Sequence, residues 1–182
     1  MNLPKTYNHS YISALKAYCF NQFRDINIIL RYDIGDQEEF DKKTFDLYGK
    51  NASYTSNTQY NEFIYNIFLL DRMFENLSTN EELVVYRRFN PKFLPNIEIG
   101  QSKVDKGFVS TSLTENSLKR VLHSDINKCN SIAKIRVPKG TSCVSVGNDF
   151  YRKEDELLLN RGLEFILKNK QEDYYEFEII KD

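Results

Sequence analysis

Three polar islands interrupt apolar, strand-like runs of this chain, and each carries side chains able to do chemistry. Leu83-Val84-Val85-Tyr86 runs directly into Arg87 and Arg88. Two-residue alternation puts Arg87 on the face of Leu83 and Val85, and Arg88 on the face of Val84 and Tyr86, so one guanidinium of the pair points inward. A buried guanidinium needs an anion. Its planar fork suits a phosphate, to which it donates two parallel hydrogen bonds; an internal ion pair with one of the 26 acidic residues would serve as well. Gly107-Phe108-Val109 leads into Ser110-Thr111-Ser112. These three hydroxyls either position a neighbouring side chain or cap the segment from Leu113 to Ser117, which reads as a helix start. Glu154-Asp155-Glu156 stands directly before Leu157-Leu158-Leu159. Strand geometry sets Glu154 and Glu156 on one face, about 6.5–7 Å apart along the chain, with Asp155 opposite. Paired carboxylates repel and do not assist folding. A solvated edge is the plain alternative, and the apolar run that follows argues against it.

The elements that must position these groups change character near residue 80. Before it, apolar residues recur at helical spacing. Ile12, Leu15, Cys19 and Phe23 form one stripe behind a cap at Ser10. Phe40, Phe45, Leu47 and Tyr48 mark a shorter helix closed by Gly49. Tyr60, Phe63, Ile64, Ile67, Leu70, Phe74 and Leu77 form the strongest stripe, about five turns long. After residue 80 the runs are short and β-branched or aromatic: 83–86, 107–110, 132–137, 143–146, 157–159 and 165–167. Tyr175, Phe177 and Ile179 alternate with Glu176 and Glu178, as a half-exposed final strand does. Helices first and strands second predict an α+β fold in one domain, 1–182, with a helical lobe over 1–80 and a β core over 81–182. No linker long enough to separate independent domains is visible.

Bulk properties narrow the function. At 182 residues and 21.5 kDa the chain has the size of one domain, and 41% hydrophobic with 28% charged residues is the balance of a globular protein. A net charge of -1 gives no electrostatic pull toward nucleic acid, and no polybasic run suggests a membrane surface. Cys19, Cys129 and Cys143 are too few and too scattered for a disulfide framework or a metal quartet, which points to a reducing compartment. The opening MNLPKTYNHS lacks the apolar core of a signal peptide, and no run is long enough to span a bilayer. The expectation is action in a cytosol, of the producing cell or of a target cell.

Arg, then Ser-Thr-Ser, then Glu-x-Glu, each on its own strand in this order, resembles the Arg-Ser-Glu class of ADP-ribosyltransferase exoenzymes. The nearest branch is the one holding the enzymatic components of clostridial actin-modifying binary toxins. The likeness extends to residues 83–88, 105–112, 135–140 and 154–162, so it covers most of the chain from Leu83 to Leu167. The helical half matches only in kind, through a Tyr-rich helix (Tyr54, Tyr60) ahead of the first strand. The resemblance implies a helical lobe packed on two small β-sheets that flank an NAD cleft, with NAD as co-substrate. Arg87 would hold the NAD phosphates and Arg88 would assist. Ser110 would orient the catalytic Glu156, while Thr111 and Ser112 would shape the nicotinamide-ribose pocket. Glu154 would face the acceptor, and Tyr151 would top the turn that recognises it. Glutamate at the position of Glu154 implies an arginine acceptor. One departure stands out. Family members often stack an aromatic on nicotinamide after the Ser-Thr-Ser strand, but between Leu113 and Asn130 the sole ring is His123.

These residues suit NAD cleavage. The leaving pyridinium departs neutral, so no general acid is required, and one carboxylate can stabilise the oxocarbenium-like ribose. The second carboxylate is then free to act on the acceptor as a general base. Metal has no evident role, since there are two widely separated His and no ligand cluster. The implied protein is a monomeric toxin or effector that modifies a macromolecule, foremost a host protein. An NAD glycohydrolase using water as acceptor, and a non-catalytic binding module on the same scaffold, are the competing readings.

Overall fold

A computed structural model describes residues 9–49, 57–90, 97–118, 131–146 and 155–181. The chain divides into two compact units, one spanning Pro4–Asn76 and the other combining Met1–Leu3 with Leu77–Asp182.

The first unit is helical: α1 (His9–Ala17), a wide π turn (Tyr18–Gln22), α2 (Phe23–Tyr32), α3 (Gln37–Tyr48) and α4 (Asn57–Phe74). Ser10, expected as a cap, lies inside α1. The first apolar stripe also departs from expectation. Leu15 and Cys19 are buried, but Phe23 is 39% exposed. The π turn explains the slip: its i→i+5 bonding admits an extra residue, so the helical phase advances and the stripe resumes at Gln22 and Ile26, both buried. Gln22 is accommodated inside because its amide nitrogen donates to Glu62 at 2.7 Å and its carbonyl accepts from Asn66 at 2.7 Å.

α3 begins at Asp36, whose side chain accepts from the Glu39 N–H at 2.9 Å, while Glu39 accepts from the Gly35 N–H at 2.8 Å. It ends at Gly49 as expected, with a positive φ of 80°. Of its apolar residues only Phe40 is buried. Phe45, Leu47 and Tyr48 are exposed, contrary to a continuous packing stripe. In α4, Tyr60, Phe63, Ile67, Leu70 and Phe74 are buried as the periodicity requires, Ile64 is exposed, and the helix stops short of Leu77.

The second unit is built on eight strands: β1 (Leu83–Phe89), β2 (Ser102–Asp105), β3 (Val109–Ser112), β4 (Ser131–Val137), β5 (Cys143–Ser145), β6 (Glu156–Leu159), β7 (Leu163–Gln171) and β8 (Tyr174–Ile180), with a single helical turn, α5 (Glu115–Leu118), after β3. Their order is β2-β7-β8-β4-β1-β3-β6-β5, antiparallel except for the β4–β8 pair. β1 and β4 share seven paired positions, whereas β1 and β3 share one, Tyr86 with Ser112. Five strands and three strands thus meet at a single pairing, so the two small sheets of the sequence-based expectation form one sheet with a narrow junction.

Alternation assigns every strand two faces. One packs the core: Val85, Val109, Ala133, Ile135, Val137, Leu157, Leu159, Tyr175, Phe177 and Ile179. The opposite face carries Tyr86, Arg88, Ser110, Ser112, Lys134, Glu156 and Glu176, because residues paired across neighbouring strands share a side. The Ser-Thr-Ser island is itself strand β3, and both arginines lie within β1 rather than after it.

Candidate active site

The site is assembled at the β3–β6 pairing. Val109, Ser110, Thr111 and Ser112 stand opposite Leu159, Leu158, Leu157 and Glu156. The pairing continues one step further, where the Leu113 N–H donates to the Asp155 carbonyl at 2.8 Å. On the other edge of β6 the Val146 N–H donates to the Glu156 carbonyl at 2.9 Å. Glu156 is therefore held by backbone from both sides, at the first residue of an entirely buried strand. The apolar run Leu157-Leu158-Leu159 anchors that strand by burial.

Within this frame the Ser110 hydroxyl donates to Oε1 of Glu156. The two residues are diagonal neighbours on one face, within reach across antiparallel strands. Glu156 is 7% exposed, and a carboxylate so enclosed is stable only with donors fixed around it. Ser112 is directly opposite Glu156 and also buried. Thr111 points the other way, into the core face, where its hydroxyl donates to the Leu157 carbonyl at 2.7 Å. The three consecutive hydroxyls thus divide their work: Ser110 holds the carboxylate, Ser112 borders it, and Thr111 ties β3 to β6. Thr111, for which the resemblance implied a pocket-shaping role, lies by register on the face opposite Glu156.

The arginines separate in the same way. Tyr86 pairs with Ser112, so Arg88, two residues along, belongs to the face of Glu156. Its Nε is buried with no hydrogen-bond partner among the described residues. Such a donor is rare in a folded protein and makes Arg88 a candidate to hold an acceptor group. Arg87 pairs with Ala133 and falls by register on the core face at the end of β1. Glu154, Tyr151 and His123 lie outside the described residues. Sequence reasoning overlooked Tyr86, although alternation with Arg88 was the signal that could have found it; its nearness to Ser112 depends on a register that alternation does not reveal.

Among the described residues no group of three or more His, Cys, Asp and Glu could hold a metal ion, and no helix is long and apolar enough to cross a membrane. A cavity of about 400 Å³, lined by Gly140, Thr141, Gly162, Leu163, Glu164 and Lys181 among others, lies toward the opposite end of β6 and includes neither Ser110 nor Glu156.

A buried glutamate is thus held by a serine from the adjacent strand, with Arg88 on the same face. Comparison with known proteins makes the class definite. Residues 3–176 match the family model of the ADP-ribosyltransferase exoenzymes, and the chain belongs to that family. No curated protein matches the sequence. Among solved structures, the fold is similar to the C3 exoenzyme of Clostridium limosum, with a TM-score of 0.67 and 17% identity over 97% of this chain and 87% of that one. It is also similar to BECa, the ADP-ribosylating toxin of a C. perfringens binary enterotoxin, crystallised with NADH, with a TM-score of 0.68 and 16% identity over 97% of this chain and 44% of that one. Plx2a, an ADP-ribosyltransferase toxin of Paenibacillus larvae, matches with a TM-score of 0.65 and 17% identity over 97% and 88%.

Proposed function

We propose that this chain transfers ADP-ribose from NAD to an arginine side chain of a protein acceptor and releases nicotinamide. The observation that carries the reading is the Ser110–Glu156 hydrogen bond on the face that also presents the unsatisfied Nε of Arg88. Family membership supports the transferase chemistry.

NAD supplies a pyridinium leaving group that departs neutral, with positive charge developing on the ribose it leaves. Glu156 stabilises that charge, and as a carboxylate it also accepts a hydrogen bond from the ribose 2′-hydroxyl. Ser110 fixes the rotamer of Glu156 before substrate arrives, so little reorganisation is left for the moment of reaction. Ser112 borders the ribose. Arg88 donates to the diphosphate from the same face, and Arg87, its neighbour at the strand end, adds positive charge there; together they set the ribose against Glu156. Glu154 draws a proton from the acceptor guanidinium, which is a poor nucleophile while charged. Tyr151 contacts the acceptor.

The test is incubation of the protein with labelled NAD and a cell lysate. Label on protein that hydroxylamine releases, as expected for an ADP-ribosylated arginine, supports the proposal. Nicotinamide release with no labelled macromolecule would instead mark a glycohydrolase, and no NAD consumption would remove both.

A further inference from the structure

The paired strands β3 and β6 pass from buried to exposed within one residue at Glu156. All four residues of β6 are buried, as are Thr111 and Ser112 on β3. One step further out, both Leu113 and Asp155 are exposed. The Leu113 N–H donates to the Asp155 carbonyl at 2.8 Å, so the two residues oppose each other on the last rung of the ribbon. Directly opposed side chains stand about 4.5–5.5 Å apart. By alternation both lie on the side of Thr111 and Leu157, past the point where the core ends.

Burial explains neither side chain. The other exposed large apolar residues of this unit, Val84, Ile99, Val104 and Ile180, lie on or beside β1, β2 and β8. Among the described residues Leu113 is thus the one that adjoins the Ser112–Glu156 rung. Among the described residues, too, no basic side chain pairs with the Asp155 carboxylate. The backbone beneath them is nevertheless fixed. α5 starts directly after Leu113, where the Ser117 N–H donates to the Thr114 hydroxyl at 3.3 Å. An apolar group and an anion are therefore held side by side next to Glu156, and both are presented outward.

We infer that Leu113 and Asp155 read the protein acceptor: Asp155 pairs with a second basic side chain beside the target arginine, and the methylene stem of that side chain lies on Leu113. The inference rests on the proposed transfer to arginine. The target guanidinium is assigned there to Glu154, the preceding residue, which leaves Asp155 for another cation. Lysine and arginine fit because each carries an apolar stem and a charged tip. An acidic neighbour would instead meet Asp155 as a like charge, which turns the contact against it. The pair thus selects among arginines by their surroundings, and the substrate class is a protein whose modified arginine has lysine or arginine beside it.

The experiment offers the protein peptides that share one arginine and differ in the residues flanking it: lysine, norleucine, glycine or glutamate. Rates of ADP-ribosylation at low salt are divided by the rate of transfer to agmatine by the same protein. Wild type uses the lysine peptide with kcat/KM about two- to fivefold above the norleucine peptide, the range of an exposed ion pair, and the glutamate peptide least. High salt narrows that gap, because exposed charges are screened. Asp155→Lys reverses the order of the lysine and glutamate peptides, and Leu113→Ser removes the advantage of norleucine over glycine. Equal use of the lysine and glutamate peptides by wild type, a gap that salt leaves intact, or an order that survives Asp155→Lys overturns the inference. The wild-type ranking and its salt dependence require no variant to fold. A wild-type protein that cleaves NAD but transfers nothing to agmatine refutes the underlying arginine chemistry instead.

Discussion

Replacing Ser110 by alanine isolates the contact on which the catalytic assignment turns. The hydroxyl donates to Oε1 of Glu156, and Glu156 is 7% exposed, so water cannot freely take the serine's place. A hydrogen bond to a charged group contributes about 1.5–3 kcal/mol. If the bond orients the carboxylate for the developing charge on ribose, that energy is lost from the transition state. At about 1.36 kcal/mol per decade, kcat for nicotinamide release falls roughly ten- to a hundredfold. KM for NAD moves little, because Arg88 and the remainder of the face are untouched. Two controls sharpen the measurement. Ser112→Ala removes a hydroxyl directly opposite Glu156 without removing the Ser110 bond, and its loss is smaller. Thr111→Val removes the bond to the Leu157 carbonyl on the core face, so it lowers stability by about 1 kcal/mol in urea denaturation while turnover per folded molecule is kept. The assay is nicotinamide release by chromatography under saturating NAD, with folding checked by circular dichroism. A Ser110→Ala protein with full kcat, beside an inactive Glu156→Gln protein, would refute the orienting role of the bond.

Further outcomes follow from the same geometry. Glu156→Gln abolishes both nicotinamide release and protein labelling, since the amide cannot supply the anion; residual release above about one per cent of wild type contradicts this, given that a loss of two decades is about 2.7 kcal/mol. Glu154→Gln loses transfer to agmatine and keeps most NAD hydrolysis, and equal loss of both activities rules out a division of labour between the two carboxylates. Arg88→Gln raises KM for NAD about tenfold with a smaller change in kcat, measured from initial rates, because the diphosphate loses a charge-assisted fork. Burial pushes the Cys143 thiol from 9.0 up to about 11. The folded state therefore keeps its proton longer than the unfolded chain, and the associated stability, present below pH 9, is lost as pH rises through 11. The loss is roughly 3 kcal/mol in all. Urea titrations in reducing buffer should show a steeper alkaline decline for wild type than for Cys143→Ala.

The parts of the fold legible in the sequence are those decided by local pattern. Period-two alternation found β8, where Tyr175, Phe177 and Ile179 are buried and Glu176 and Glu178 half-buried. The closing glycine marked the end of α3 at Gly49. What local pattern missed has identifiable causes. β2, Ser102–Asp105, carries one apolar side chain, Val104, and that one is exposed, because an edge strand paired only to β7 is held by backbone and leaves no hydrophobic signature. The π turn at Tyr18–Gln22 shifts the phase of the first helical stripe and hides α2 from a search at 3.6 residues per turn. α3 exposes Phe45, Leu47 and Tyr48, so apolar residues alone did not identify its buried side.

The candidate site shows where such reasoning stops, through its two arginines. Alternation alone establishes that Arg87 and Arg88 face opposite ways, and it cannot say which way the chemistry lies. That depends on a single long-range pairing, Tyr86 with Ser112, at the junction of the five-strand and three-strand parts of the sheet. Move that register by one residue and Arg87 shares the face of Glu156 instead, since a one-residue slip exchanges the two sides of a strand. The observed register selects Arg88, and the orphaned Nε is an independent sign in its favour. Arg87 keeps the position that the family likeness picked out, one residue away and opposite Ala133 at a strand end. The junction that orders them is also the place where the sheet is least constrained, one pairing against seven on the β4 side. The same narrow connection therefore determines which arginine shares the face of Ser112 and Glu156.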